Sequence, residues 1–100
     1  MPVALRFHRL ATHEYLRSLR WYFRRSPRAA NRLVEKLNEA VEKIRAHPAR
    51  WPAYDNLHRW LKVSGFPFIL YYRTWSQDEV IVMAVAHVRR RPGYWRRRKS

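Results

Sequence analysis

The 100-residue chain has no cysteine, only two glycines, seven acidic residues against 22 basic ones, and no long apolar run. Each shortage removes a class of function. Without cysteine there is no disulfide framework and no thiolate for catalysis or metal binding, and a reducing cytoplasm is the expected compartment. Two glycines cannot build the Gly-rich loop that cradles a nucleotide phosphate. A membrane helix needs about 20 consecutive apolar residues, and the opening Met1-Pro2-Val3-Ala4-Leu5-Arg6 lacks the apolar segment of a secretory signal, so no membrane partner is expected. The histidines at 8, 13, 47, 58 and 87 lack the local spacing of a zinc motif, and no metal or cofactor is expected. Ser18, Ser26, Ser64, Ser76 and Ser100 sit in no nucleophile context.

What is there is apolar and basic. A 47% apolar and 15% aromatic share suits a folded chain, read as one domain over 1–100 with a basic tail at 89–100. The net charge of +15 opposes compaction and calls for a polyanionic or acidic partner. Eighteen of the 22 bases are arginine, which compositional bias explains; bias does not explain the scarcity of acids. Glu35, Glu39 and Glu42 fall on one predicted helix and Asp78 and Glu79 at one hairpin tip, while the last twelve residues hold seven bases and no acid.

Periodicity orders the elements. Val3 to His8 alternates as a short strand. Thr12, Tyr15, Leu16, Leu19, Tyr22 and Phe23 then share one helical face, with Arg17, Arg20 and Arg24 opposite. Trp21 lies away from that stripe, for a second interface or for a partner. Ser26-Pro27 opens a second helix with an N-cap oxygen and a proline at N1. Ala30, Val34, Leu37, Val41 and Ile44 form its seam, Glu39 and Lys43 an i,i+4 pair, and Pro48 its stop. Residues 49–56 read as an ordered loop, and Leu57–Val63, Phe66–Trp75 and Glu79–Val88 as strands joined by tight hairpins. The fold class is α+β, in the order β-α-α-β-β-β: a small antiparallel-dominated sheet with a helical hairpin packed on one face. Helices cover only one side of a sheet that is apolar on both. The other side must therefore meet the loop around Trp51, the tail or a separate chain.

Smaller features have plainer readings. His58-x-Trp60-x-Lys62 reads as a solvated strand face, and Asp55 as an Asx-turn residue rather than a general base. Hairpin register sets Arg73 opposite residues near Val80, far from His87 and the tail.

The chemistry gathers at the end of the last strand, where His87-Val88-Arg89-Arg90-Arg91-Pro92-Gly93-Tyr94-Trp95 packs imidazole, guanidinium, phenol and indole groups behind a turn. This run resembles the C-terminal signature of the ParE branch of the RelE/ParE toxins of bacterial type II toxin–antitoxin systems. Trp21-Tyr22, Arg25-Ser26-Pro27, His47-Pro48-Ala49-Arg50-Trp51-Pro52 and Phe66-Pro67-Phe68-Ile69-Leu70-Tyr71-Tyr72-Arg73 follow the family's landmarks in the same order. The family has the same order of elements.

The resemblance implies a toxin, and two branches imply two mechanisms. ParE members are non-enzymatic and poison DNA gyrase, with the C-terminal end implicated; Arg89, Arg90, Tyr94 and Trp95 would then form the target contact, as Arg, Tyr and Trp dominate binding hot spots. RelE members cut mRNA on the ribosome; His87 would then move protons, Arg73 and Arg89 would hold phosphate, and Tyr94 would act as acid or stacking platform. Ile69 and Val88 stand where those nucleases carry arginines, which favours the non-enzymatic branch. A general arginine-driven nucleic-acid-binding domain is a third reading. The family also implies a cognate antitoxin, expected to be acidic and amphipathic. Deleting 89–100 is expected to abolish toxicity and to leave the hairpin and sheet folded, unless Tyr94-Trp95 covers the sheet.

Overall fold

A computed structural model describes residues 2–99. Strand β1 (Ala4–Phe7) leads into helices α1 (Arg9–Arg25) and α2 (Pro27–Ala46), followed by strands β2 (His58–Lys62), β3 (Phe68–Ser76) and β4 (Glu79–His87). The sheet order is β1-β4-β3-β2, with β1 parallel to β4 and the other pairs antiparallel. The expected order of elements and fold class hold, and Phe68 pairs with His87 while Arg73 pairs with Ile81, as the register argument requires. No described helix is long and apolar enough to cross a membrane.

Each helix starts at a side-chain acceptor. His8 Nδ1 accepts from Leu10 N–H at α1, and Ser26 Oγ accepts from Ala29 N–H at α2, with Pro27 at the first helical position. The faces turned inward differ from expectation by about one position. On α1 the packed residues are Ala11, Tyr15, Leu19 and Tyr22, whereas Leu16 and Phe23 are 41% and 61% exposed. On α2 the buried stripe is Ala30, Leu33, Leu37, Ala40 and Ile44, with Val34 and Val41 half-buried at its flank. A helix that packs on a neighbouring helix and a sheet together buries a wider stripe than a two-helix seam. Glu39 pairs with Lys36 at 3.1 Å rather than with Lys43.

The sheet separates two cores. Val80, Val82, Val85, Phe68, Leu70 and Tyr72 join the helices on one side. Ile81, Met83, Ala84 and Ala86 face the other side, where they meet Trp95 of the tail, with Tyr54, Tyr71 and Tyr94 packed around. The tail and Tyr54 of the loop thus cover the second face, whereas Trp51 itself packs into the helix-side core and donates to the Lys43 carbonyl of α2. Loop 49–56 is held against β2 by Tyr54 N–H to His58 C=O (2.8 Å) and Trp60 N–H to Pro52 C=O (3.0 Å).

A β-bulge makes this division possible. Tyr71 pairs with Ala84 and Tyr72 with Val82, so Met83 is one extra residue in β4. The extra residue reverses the side-chain alternation, turning Val85 and His87 toward α1 and Ala84 and Ala86 toward the tail.

Candidate target-binding site

Pairing of β1 with β4 ends at Phe7 and Val82. Beyond that point side chains take over backbone groups of β4: Val85 N–H donates to Glu14 Oε1 and Met83 C=O accepts from Arg98 Nη1, both at 3.0 Å. Arg98 also grips Glu14 with two nitrogens, at 3.0 and 2.9 Å, and the Tyr94 hydroxyl donates to Glu14 Oε2 at 2.5 Å. The Arg98 and Glu14 side chains are only 13% and 16% exposed. One carboxylate therefore ties α1, the bulge and the tail together through charge-assisted hydrogen bonds. A further tie closes the end of the tail, as His8 Nε2 lies 2.7 Å from the Lys99 carbonyl oxygen while its Nδ1 caps α1.

The turn ahead of this knot has the chemistry of its sequence. Tyr94 N–H donates to Arg91 C=O across Pro92-Gly93, and Gly93 has φ +74°. Proline followed by a positive-φ glycine is the signature of a type II turn. A Cβ at Gly93 would also stand 3.1 Å from the Tyr54 hydroxyl and 3.0 Å from Arg96 Cδ.

The expected site residues separate. Trp95, expected at the target contact, has 0% exposure: it stacks on Tyr71 (4.5 Å between ring centroids, 26° between planes) and meets His58 edge-on at 4.7 Å. It belongs to the core, because the sheet's second face has no helix to cover it. Tyr94 is half-buried, and burial first, then the hydrogen bond to Glu14 and its charge, hold the phenol well above its ordinary value despite Arg90 and Arg98. Arg89 and Arg90 are exposed, with the Arg90 guanidinium 3.9 Å from the Tyr94 ring centroid.

His87 and Tyr94 do come together, lining a groove of about 400 Å³ with Glu14, Arg17, Trp21 and Arg90. The His87 Nδ1 accepts from Arg89 N–H at 3.1 Å, and its ring meets Phe68 edge-on. Trp21 sits on the groove's rim, 51% exposed under the Arg25 guanidinium. Arg73 lies elsewhere, beside Trp75 (5.7 Å) and opposite His58 in register. Among the described residues, no three His, Cys, Asp or Glu side chains cluster as metal ligands would.

The profile of the ParE toxin of the type II toxin–antitoxin system parDE matches residues 5–92. This chain belongs to the ParE toxin family. Its fold is similar to that of a solved chain of the chromosomal ParDE toxin–antitoxin system from P. aeruginosa, with a TM-score of 0.72 and 18% sequence identity over 85% of this chain and 95% of that one. No curated protein matches the sequence. The matched segment reaches through Arg89, Arg90 and Arg91 but stops before Tyr94 and Arg98, the tail residues that bind Glu14, and before the buried Trp95.

Glu14 and Arg98 escaped the sequence reading. The available signal was that Glu14 is the sole acid in the first 34 residues, on a helix rich in arginine. The His58-x-Trp60-x-Lys62 face is solvated only toward its end: His58 is 5% exposed, Trp60 half-buried and Lys62 exposed. Asp55 does cap a turn, its Oδ1 accepting from Leu57 N–H at 2.8 Å and His58 N–H at 2.7 Å. It also holds His58 Nδ1 at 2.9 Å and Arg96 Nε at 3.1 Å.

Burial alone would raise the Asp55 carboxyl above its ordinary 3.8, but the hydrogen bonds from Leu57 and His58, with the His58 charge, outweigh it and lower the value to about 2. A folded-state value below the unfolded one stabilises the fold above pH 3.8, and that contribution is lost as pH falls toward 2. Solvent screening of the accessible carboxylate holds it to about 1–2 kcal/mol. Asp55→Asn should therefore lower stability by about that amount near neutrality. Urea melts of variant and wild type should converge in acid; a gap that persists at pH 2 would assign the loss to packing instead.

Proposed function

We propose that this ParE toxin stops growth by binding DNA gyrase through the exposed arginines at the end of β4, with Arg89 and Arg90 as the principal contacts and Tyr94 as the platform beneath Arg90. The observation that carries the reading is the state of the acid–base groups beside them. The Glu14 carboxylate is filled by Val85 N–H, Arg98 and Tyr94. The Tyr94 proton is directed at Glu14, and its raised pKa makes it a poorer acid. His87 is left as a single proton-transfer group, and general acid–base cleavage of RNA needs two. Arg89 and Arg90 by contrast make no described ion pair and face solvent, as a protein-contact surface requires. The cognate antitoxin is proposed to be an acidic chain that neutralises this charge.

The double variant Arg89→Ala/Arg90→Ala tests the surface, since it removes charge and leaves the rings in place. Arginine hot spots are worth about 2 kcal/mol or more, so its affinity for purified gyrase should fall at least about 30-fold while its thermal melt stays close to wild type. Cells expressing it should keep growing. Growth arrest as strong as wild type would remove these arginines from the active surface.

The groove that joins His87 and Tyr94 with Arg17 and Arg90 favours one second reading, a ribosome-dependent mRNA endonuclease. Controlled expression decides between them. Loss of supercoiling before translation supports gyrase; mRNA cleavage on purified ribosomes, abolished by His87→Ala, would replace that target with the ribosome.

A further inference from the structure

A second cleft opens on the other face of the sheet, between loop 53–58 and the tail. Arg91, Arg96 and Arg97 line it, and the Asp55–His58 pair forms its floor. Its volume, about 640 Å³, is larger than that of the groove beside α1. We propose that this cleft binds the phosphodiester backbone of duplex DNA, with Arg91 and Arg97 as the phosphate contacts. The site uses neither Arg89 nor Arg90 and stands independently of the gyrase reading.

Three observations carry the assignment. The first is unbalanced charge. The one carboxylate in the cleft, Asp55, is already engaged by Leu57, His58 and Arg96, whereas no described carboxylate pairs with Arg91 or Arg97. Two unpaired guanidiniums beside a third make a site for an anion, and planar forks suit phosphate oxygens.

The second is the fixed backbone that carries them. Arg91 opens the type II turn, and Arg96 N–H to Gly93 C=O and Arg98 N–H to Trp95 C=O, both 3.0 Å, continue it past Arg97. Trp95 anchors the same turn in the core. The arginines therefore hang from an ordered frame rather than from a loose tail, which lowers the cost of arranging them on a ligand.

The third is what the cleft walls lack. Single-strand binding relies on exposed aromatic platforms for base stacking. Here the only lining aromatic ring besides His58 is Tyr94, which is half-buried and tied to Glu14. A peptide needs apolar anchors, and among the lining residues Leu57 alone is an exposed aliphatic side chain. A duplex backbone asks for cations and little else, and reads no sequence.

The test is binding of the full-length protein to a short fluorescent mixed-sequence DNA duplex, followed by anisotropy across a salt series without gyrase. Arg91→Ala/Arg97→Ala removes the two contacts; Arg28→Ala/Arg32→Ala removes the same charge from exposed positions on α2. The cleft variant should bind about 10-fold or more weakly near physiological salt, and its log–log salt slope should be shallower by about 1.8, or roughly 0.9 per lost phosphate contact. The α2 variant should change affinity less than about threefold. Equal weakening of both variants would reduce the effect to net charge and overturn the site, as would an unchanged cleft variant. If the cleft variant loses binding to a fluorescent polyglutamate peptide but keeps its DNA affinity, the ligand is an acidic peptide and the DNA assignment fails. Because gyrase is absent and Arg89 and Arg90 are intact, either result leaves the gyrase proposal to its own experiment.

Discussion

Trp95→Ala is expected to destabilise the fold by about 3–5 kcal/mol, the range for removing a fully buried large aromatic. The side chain has 0% exposure, stacks on Tyr71 and closes over Ile81, Met83, Ala84 and Ala86. Small domains are stable by only about 5–15 kcal/mol, so this single change removes much of the margin. The melting temperature should fall by at least about 12 °C on the scale of a domain this size. Trp95→Phe keeps a ring on Tyr71 and should recover part of the loss. Circular dichroism during urea unfolding measures both; a Trp95→Ala midpoint within about 1 kcal/mol of wild type would mean that the second core does not depend on the tail. The same contacts change the outlook for deleting 89–100. That deletion removes Trp95 together with Tyr94 and Arg98, so loss of toxicity would accompany loss of fold rather than report a lost contact surface.

Elements whose signal is local were readable from the chain. The Ser26-Pro27 start of α2 and the stop before Pro48 follow from side-chain oxygens and missing donors, and both stand where those rules put them. Strand alternation found both antiparallel hairpins but drew the first too tightly: β2 ends at Lys62 and β3 starts at Phe68, so the connection runs over 63–67 rather than Ser64-Gly65 alone. The register of Arg73 followed from counting along one hairpin. The site was harder because its parts meet across the whole chain: Glu14 and Arg98 are 84 positions apart. A lone acid on a basic helix announces no partner, and the bulge at Met83, which decides the side on which His87 lies, has no glycine or proline to mark it. Trp95 was misread for a related reason. Indole is the commonest hot-spot side chain and also the largest core one, and only the tertiary position tells which role it has.

Glu14→Ala is the second large expected effect, again about 3–5 kcal/mol, because it strips the partner from a poorly exposed guanidinium and leaves Val85 N–H and the Tyr94 hydroxyl without their acceptor. Glu14→Gln keeps the shape but not the charge and should fall between Glu14→Ala and wild type. Ion-pair energetics make a sharper prediction for the double change. Once Glu14 is gone, replacing Arg98 with methionine removes an uncompensated charge, so Glu14→Leu/Arg98→Met should be destabilised by much less than the sum of the two single changes. Additivity would show that the two residues contribute separately and that the knot is not a unit. Hydrogen exchange locates the loss. In Glu14→Ala the Tyr94, Arg96 and Arg98 amides, held by turn bonds of the tail, should exchange faster, together with Val85. Amides in the strand segment paired with β1, at Val80 and Val82, should keep their protection relative to them. Uniform acceleration of all these amides would mean that Glu14 supports the whole domain rather than latching the tail through Tyr94 and Arg98.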